Sequence, residues 1–84
     1  MAAIIYSGPL CPYCEMAKKL LDQKEIPYKE LTIGKDLTKQ KAFEEVGVPF
    51  KTVPQIIIDG IHIGGYNALL NYFKRKEQIN GEPQ

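Results

Sequence analysis

The order of apolar segments along the chain restricts its possible folds more than any other feature. A short apolar run at residues 2–6 is ended by a turn sequence at 7–9, and an amphipathic helical pattern extends from about Pro12 to about Gln23. Alternating residues at 28–33 then predict a second strand. Because strand–helix–strand units are almost always right-handed, this opening predicts two parallel strands joined by a helix.

A second helix is predicted from about Leu37 to about Val46, and Gly47 ends it. Its polar residues are expected to face solvent, as in other helices that cover a sheet. The apolar residues expected on its core face are Leu37, Phe43 and Val46.

The last third of the chain contains a hairpin signal. The apolar runs at 55–58 and 61–63 meet at Asp59-Gly60, a pair that favours a tight turn between antiparallel strands. Gly64-Gly65 ends the hairpin, and residues 67–76 form a last helical pattern. The residues of this helix expected to face inward are Leu69, Leu70 and Phe73.

The complete order, β-α-β-α-β-β-α, predicts an α/β fold in which helices flank a mixed four-stranded sheet. With 84 residues the chain has room for one hydrophobic core, so a single domain over residues 1–84 is expected, with a polar tail at about 79–84.

Composition and charge exclude several classes of function. The formal net charge is +1, which argues against a protein built mainly to bind nucleic acid or an anionic membrane. The apolar runs are far shorter than a membrane span. The first residues, MAAIIYSG, lack the pattern of a secretory signal, so a reducing cytoplasm is the expected location.

Cys11 and Cys14 are the only two cysteines of the chain, and they allow three interpretations. A structural zinc site needs about four ligands, whereas His62 is the one further soft ligand here, so no metal site is predicted. Two inert buried thiols are a second interpretation, although the turn before Cys11 and Pro12 after it place Cys11 near the surface. The third interpretation, a redox pair, has a direct physical cause.

That cause is the start of the first helix. Unpaired N–H groups and the aligned peptide dipoles at a helix N-terminus favour a thiolate, and the pKa of cysteines in such sites falls from ~8.5 to ~3.5–7.5. Since Pro12 has no N–H, the donors to Cys11 are expected from Tyr13 and Cys14. Stabilising the thiolate hardly increases the rate at which Cys11 attacks a disulfide, but it makes the Cys11 sulfur a faster leaving group. Cys14, one turn inside, is expected to keep a higher pKa and to resolve mixed disulfides.

Three separated motifs follow one another along the chain: Cys11-Pro12-Tyr13-Cys14, Thr52-Val53-Pro54 and Gly64-Gly65. With these motifs the chain resembles a glutaredoxin of the dithiol kind over nearly its whole length. The likeness implies a thioredoxin-like fold of strand order 2-1-3-4 with a cis peptide bond at Val53–Pro54. It also implies that the backbone edge of Val53 pairs with the cysteinyl part of glutathione.

The resemblance implies a glutathione site beyond the cysteines. Lys41 occupies a position where relatives often place a group for the glycyl carboxylate. The sequence departs from the family at Gly8, where relatives commonly have a cation, and at Asn67 and Ala68, where they often have acidic residues. The other residues implied to contact glutathione are Tyr13, Thr52, Val53, Pro54, Gly65, Tyr66 and Asn67.

The implied activity is glutathione-dependent thiol–disulfide exchange by a monomer, with glutathione as cosubstrate and no tightly bound cofactor. The implied partners are disulfide-containing or glutathionylated proteins, ribonucleotide reductase among them. Two alternatives remain open. One is a redoxin of the same fold that receives electrons from thioredoxin reductase, and the other is a dimeric carrier that holds an iron–sulfur cluster between two Cys11 thiolates and two glutathiones.

Overall fold

The structure is a computed structural model that describes residues 1–81 of the chain, with side chains through residue 76. The predicted order of elements is confirmed. The elements are β1 (Ala3–Ser7), α1 (Pro12–Gln23), β2 (Tyr28–Thr32), α2 (Lys39–Val46), β3 (Gln55–Ile58), β4 (Ile61–Gly64) and α3 (Tyr66–Gly81).

The four strands form one sheet in the order β2-β1-β3-β4, which confirms the order 2-1-3-4 implied by the resemblance. β1 and β2 are parallel, as a strand–helix–strand unit requires, while β3 is antiparallel to both β1 and β4. The two central strands, β1 and β3, are covered on both faces, because their buried residues belong to two apolar clusters on opposite sides of the sheet. The loop that follows β1 and the loop that precedes β3 leave the sheet at the same end because these strands are antiparallel and adjacent.

Each face of the sheet has its own apolar cluster because successive strand side chains point to opposite sides. Ile5 packs with α1 and α3, whereas the next residue, Tyr6, packs with α2. The buried residues that α1 and α3 contribute to the first cluster are Ala17, Leu21, Leu69 and Phe73. Leu70, also predicted to face inward, is only half-buried. These contacts on both faces fix the sheet between its helices.

The predicted start and core face of α2 are partly wrong. The helix begins at Lys39, because the Oγ1 of Thr38 accepts a hydrogen bond from the Lys41 N–H at 3.1 Å and so caps it. Leu37 precedes this cap and instead forms an isolated parallel bridge with Ile33. Leu37 therefore pairs with the segment that follows β2 and does not belong to the helix.

The residues buried from α2 are Ala42 and Val46. Phe43 is half-buried and packs edge-to-face on Phe50 with ring centroids 4.8 Å apart. The predicted core face is thus shifted by part of a turn, since the buried stripe follows Ala42 and Val46, four residues apart, and not Phe43.

The hairpin follows the sequence closely, whereas the last helix extends further than the sequence predicts. Asp59 and Gly60 both have positive φ angles, 51° and 82°, as the tight turn between antiparallel strands requires. α3 includes residues 79–81, part of the predicted polar tail, and residues 82–84 lie outside the described part of the chain. Within residues 1–81, no helix is both long and apolar enough to cross a membrane.

Candidate active site

Cys11 is the N-cap residue of α1, at the place the sequence predicts for a stabilised thiolate. Its backbone is extended, with φ −116° and ψ 96°, and its Sγ accepts a hydrogen bond from the Cys14 N–H at 3.1 Å. Pro12 occupies the first helical position, where its missing N–H costs nothing. Of the two donors that the sequence predicts for Cys11, the Cys14 N–H is found to donate.

The two cysteines form a disulfide, with Cα atoms 5.2 Å apart. Cys14 lies on the buried face of α1 and is 1% exposed, whereas Cys11 is partly exposed. An incoming disulfide therefore meets the sulfur of Cys11, and the sulfur of Cys14 is reached from within the protein. This asymmetry supports separate tasks for the two thiols.

The segment Thr52-Val53-Pro54 lies against the reactive sulfur. The cis peptide bond implied at Val53–Pro54 is confirmed, and the Val53 carbonyl oxygen is 3.7 Å from the Cys11 Sγ. The Gln55 side chain donates a hydrogen bond to the Thr52 carbonyl oxygen at 2.9 Å and ties the segment to β3. The backbone edge of Val53 is therefore next to the Cys11 sulfur.

Gly8 has a packing reason in this fold. A Cβ at this position would lie 3.3 Å from Cγ2 of Val53, a tight contact. A glycine at this position thus lets the loop before Cys11 approach the Val53 segment closely.

A cavity of about 320 Å³ opens beside this segment. The rings of Tyr13 and Tyr66 pack against each other on the wall of this cavity, with centroids 5.8 Å apart. None of its lining residues carries a charged side chain. The lining residues are Tyr13, Thr52, Val53, Pro54, Gly65, Tyr66, Asn67 and Ala68. Of the eight noncysteine residues predicted for the site, all except Lys41 therefore come together here.

Lys41 lies elsewhere. It is exposed on α2, and its Nζ is 3.9 Å from Oε1 of Glu44, one turn further along the same helix. The structure does not place it on the wall of the cavity beside Tyr13.

The sequence does not predict a second, smaller cavity, which has a volume of about 190 Å³. It lies on the other side of the Thr52-Val53 segment and is largely apolar, with Lys39 and Lys51 as its cations. The position of Lys51 beside the site can be inferred from the sequence, since Lys51 directly precedes the Thr52-Val53-Pro54 motif. Lys39 is placed there only by the packing of α2, which the sequence does not reveal.

A polar network supports the end of β1 just before the active-site loop. The buried Ser7 hydroxyl donates a hydrogen bond to Oε2 of Glu30 at 2.7 Å. Lys18 of α1 approaches the same carboxylate at 3.2 Å and also pairs with Glu15 at 2.8 Å. The Ser7 hydrogen bond, with a further contribution from Lys18, lowers the pKa of Glu30. β1, β2 and α1 are thereby joined beneath the loop that carries Cys11.

This network predicts a loss of stability in acid. Because folding lowers the pKa of Glu30, its contribution is present above the unfolded value of 4.5 and disappears as the pH falls through the lower folded value. Melting temperatures recorded between neutral and strongly acidic pH should therefore show a smaller acid-induced drop for Glu30→Gln than for the parent protein. The exposed Glu44→Gln is the control, and an equal change in both variants would contradict the assignment.

The only histidine of the chain does not join the cysteines. His62 Nε2 lies 2.8 Å from Oε1 of Gln55, so its ring is engaged within the β3–β4 hairpin. Within residues 1–81 no group of three or more His, Cys, Asp or Glu side chains is arranged to hold a metal ion.

Comparisons with known proteins agree with this geometry. The sequence model of the family described as Glutaredoxin matches residues 3–63. Glutaredoxin 1 of Rickettsia felis is 40% identical over 85 residues, covering 96% of this chain and 83% of the relative. The crystal structure of glutaredoxin 1 from Francisella tularensis is similar at 32% identity and a TM-score of 0.73, covering 89% of this chain and 94% of that one.

A glutaredoxin–glutathione complex from buckwheat has the same fold, with 26% identity and a TM-score of 0.73 over 92% of this chain and 72% of that one. Family match, sequence identity and fold all point the same way. The chain belongs to the glutaredoxin family and is a thiol–disulfide oxidoreductase with a thioredoxin-like fold.

Proposed function

We propose that the protein uses glutathione to reduce protein disulfides and glutathione mixed disulfides, with Cys11 as the attacking and leaving sulfur. The observation that carries this proposal is the uncharged cavity beside Cys11, bounded by the Val53 segment and by the start of α3. The buckwheat relative was solved with glutathione, which supports the choice of thiol. Glutathione acts here as a cosubstrate, without a tightly bound cofactor.

The Val53 edge is suited to the cysteinyl part of glutathione. An extended peptide beside this edge pairs its N–H and C=O groups with those of Val53, as a further strand pairs with a sheet edge. The Cys11 Sγ lies 3.7 Å from the Val53 carbonyl oxygen, so a cysteine held there brings its sulfur to Cys11.

The start of α3 is suited to the γ-glutamyl carboxylate. The Gly65 carbonyl oxygen accepts the first helical hydrogen bond, from Leu69 N–H at 3.0 Å. The next N–H groups, of Tyr66 and Asn67, have no partner within the helix, and the helix dipole favours an anion beside them. Both residues line the cavity, and the Asn67 side chain offers a further amide there.

The glycyl carboxylate requires a cation. Lys41 is the residue implied by the resemblance, and Lys51 and Lys39 are two further cations beside the Val53 segment. Lys51 directly precedes Thr52, so its charge is well placed for a carboxylate that follows the cysteinyl group along this edge. We therefore assign the main role to Lys51 and secondary roles to Lys39 and Lys41.

Charge removal at these positions should weaken glutathione recognition. Lys51→Gln is expected to raise KM for a small glutathione mixed disulfide by about three- to tenfold, and to change kcat less, because the cation binds a part of the substrate that does not react. Steady-state kinetics with Lys35→Gln, an exposed loop position, supply the control. An unchanged KM in a Lys39→Gln, Lys51→Gln double variant would remove these residues from the site.

The exchange steps balance without any further reactant. With a glutathionylated protein, the Cys11 thiolate attacks the glutathionyl sulfur, the protein thiolate leaves and takes a proton from water, and a second glutathione thiolate displaces Cys11 to give oxidised glutathione. With a protein disulfide, the Cys11 thiolate attacks one of its sulfurs to form a mixed disulfide, and Cys14 then attacks the Cys11 sulfur and releases the reduced protein. Two glutathiones reduce the resulting Cys11–Cys14 disulfide and leave as oxidised glutathione. The Cα atoms of Cys11 and Cys14, 5.2 Å apart, are close enough for this disulfide, which supports the proposed step.

Reductases that end their cycle with a protein disulfide, such as ribonucleotide reductase, are the proposed protein substrates, and a cytoplasmic monomer is the proposed form. The partly exposed position of Cys11, next to the Val53 segment that lines the cavity, supports access by such proteins.

One observation favours a second candidate, a redoxin reduced by thioredoxin reductase. No acidic residue lines the cavity beside Tyr13 to meet the glutathione ammonium, and position 8, where the resemblance implies a cation, is a glycine. A coupled assay with a small glutathione mixed disulfide separates the two. NADPH oxidation through glutathione and glutathione reductase is expected, while turnover only with thioredoxin reductase would replace the proposal.

A further inference from the structure

Leu10, directly before the reactive cysteine, combines two unusual features. Its side chain is 100% exposed, more than that of any other large apolar residue described as exposed. Its φ angle is +50°, in the left-handed region that non-glycine residues rarely adopt. The described non-glycine residues with positive φ are otherwise the polar Glu25 and Asp59.

Neither feature stabilises the fold. Glycine or asparagine adopts a left-handed conformation at lower cost, and a polar residue would be better hydrated at a fully exposed position. A leucine here strains the backbone and buries nothing in return. Backbone strain of this kind is concentrated at functional sites, where another requirement maintains it.

The chemistry at Cys11 brings substrate residues to Leu10. In a mixed disulfide the Cα atoms of the two cysteines are about 4.4–6.8 Å apart, and consecutive Cα atoms are about 3.8 Å apart. The residues next to a substrate cysteine are therefore held within side-chain reach of the neighbours of Cys11. Tyr13, two residues after Cys11, is also exposed, at 58%, so a large exposed side chain with apolar surface lies on each side of Cys11 along the chain.

We propose that Leu10 is a specificity-determining residue that packs on an apolar side chain adjacent to the substrate cysteine. It thereby favours protein disulfides whose cysteines are flanked by large apolar residues. Glutathione cannot use this contact on one side, because its cysteine is followed by a glycine. The inference rests on the proposed role of Cys11 as the attacking sulfur, but it requires no glutathione.

Two cyclic disulfide peptides test the preference directly. Both contain a Cys-Gly-Gly-Cys ring, flanked on each side by leucine in one peptide and by serine in the other. The reduced protein is mixed with each peptide without glutathione, and the second-order rate of dithiol–disulfide exchange is measured by acid quenching and mass spectrometry. Cys11 and Cys14 become a disulfide while the peptide gains two thiols, so electrons and protons balance.

The parent protein is expected to react about fivefold faster with the leucine-flanked peptide, as partial burial of one leucine against another allows. The rate ratio should fall to about one in Leu10→Asn and in Leu10→Gly. Ile61→Thr is the matched control, since Ile61 is 66% exposed on β4, and it should retain the fivefold ratio. Equal rates for the two peptides in the parent protein, or a ratio that survives in both Leu10 variants, would overturn the inference.

Thermal melts provide an independent check that the variants act through contact. Leu10→Asn should raise the melting temperature by about 2–5 °C, since asparagine tolerates the left-handed conformation. A loss of the preference for the leucine-flanked peptide in this variant therefore cannot be due to unfolding. A Cys11→Ser protein that still reacted with the peptides would refute the proposed function. An active parent protein without preference would refute the role of Leu10 alone.

Discussion

Cys11→Ser is expected to lower turnover of both protein disulfides and glutathione mixed disulfides by about 10³-fold or more. Every proposed step either forms or breaks a bond to the Cys11 sulfur, and a serine hydroxyl neither ionises near neutral pH nor forms a disulfide. The partly exposed position at the start of α1 means that the exchange of sulfur for oxygen should leave the fold intact. Coupled assays with both substrates measure the loss.

Serine also accepts the N-cap hydrogen bond that Cys11 now receives from the Cys14 N–H, so helix α1 should remain capped. Circular dichroism of the variant is the control for folding. A folded Cys11→Ser protein that retained a substantial part of either activity would show that another group attacks the disulfide.

Cys14→Ser is expected to separate the two activities. Deglutathionylation should stay within about threefold of the parent protein, because a second glutathione, not Cys14, displaces the Cys11 sulfur. Reduction of a protein disulfide should fall about 10²-fold, since release then depends on a thiol from solution. The neighbouring thiol, with its Cα atom 5.2 Å from that of Cys11, has a far higher effective concentration than free glutathione.

The buried position of Cys14, 1% exposed, requires a second variant. Cys14→Ala leaves no unpaired hydroxyl in the interior, so agreement between the alanine and serine variants excludes a packing defect as the cause. If both variants lost deglutathionylation and protein-disulfide reduction alike, the division of labour between Cys11 and Cys14 would be wrong.

The parts of the fold that the sequence predicts correctly carry local signals. Pro12 at the first helical position and Asp59-Gly60 between two apolar runs each impose a backbone geometry on their own neighbours. These signals place Cys11 at a helix start and β3 beside β4. The start of α2 differs from the sequence prediction although a local signal exists, since Thr38 is a favoured N-cap residue and the apolar Leu37 before it lies outside the helix.

The rest of the site depends on contacts between distant segments. Lys39 and Lys51 share a cavity only because α2 and the segment before β3 pack beside the loop at Gly8. The conformation of Leu10 is set by the path of that loop from β1 to Cys11. Neither feature has a periodicity, a cap or a turn pair that would reveal it in the sequence.

Two effects act on the Cys11 sulfur in opposite directions. The Cys14 N–H at 3.1 Å and the dipole of α1 favour the thiolate, whereas the Val53 carbonyl oxygen at 3.7 Å favours the protonated thiol, which can donate to it. The N–H is within normal hydrogen-bond distance of sulfur and acts together with the helix dipole, while the contact with the carbonyl oxygen is long. The thiolate should therefore be favoured overall.

The pKa of Cys11 is the most direct test of this account. It can be measured by the ultraviolet absorbance of the thiolate in the Cys14→Ser variant, where Cys11 is the only thiol. A pKa well below the ~8.5 of free cysteine is expected. A value equal to or above that of free cysteine would contradict the claim that the start of α1 makes Cys11 a sulfur that is readily displaced.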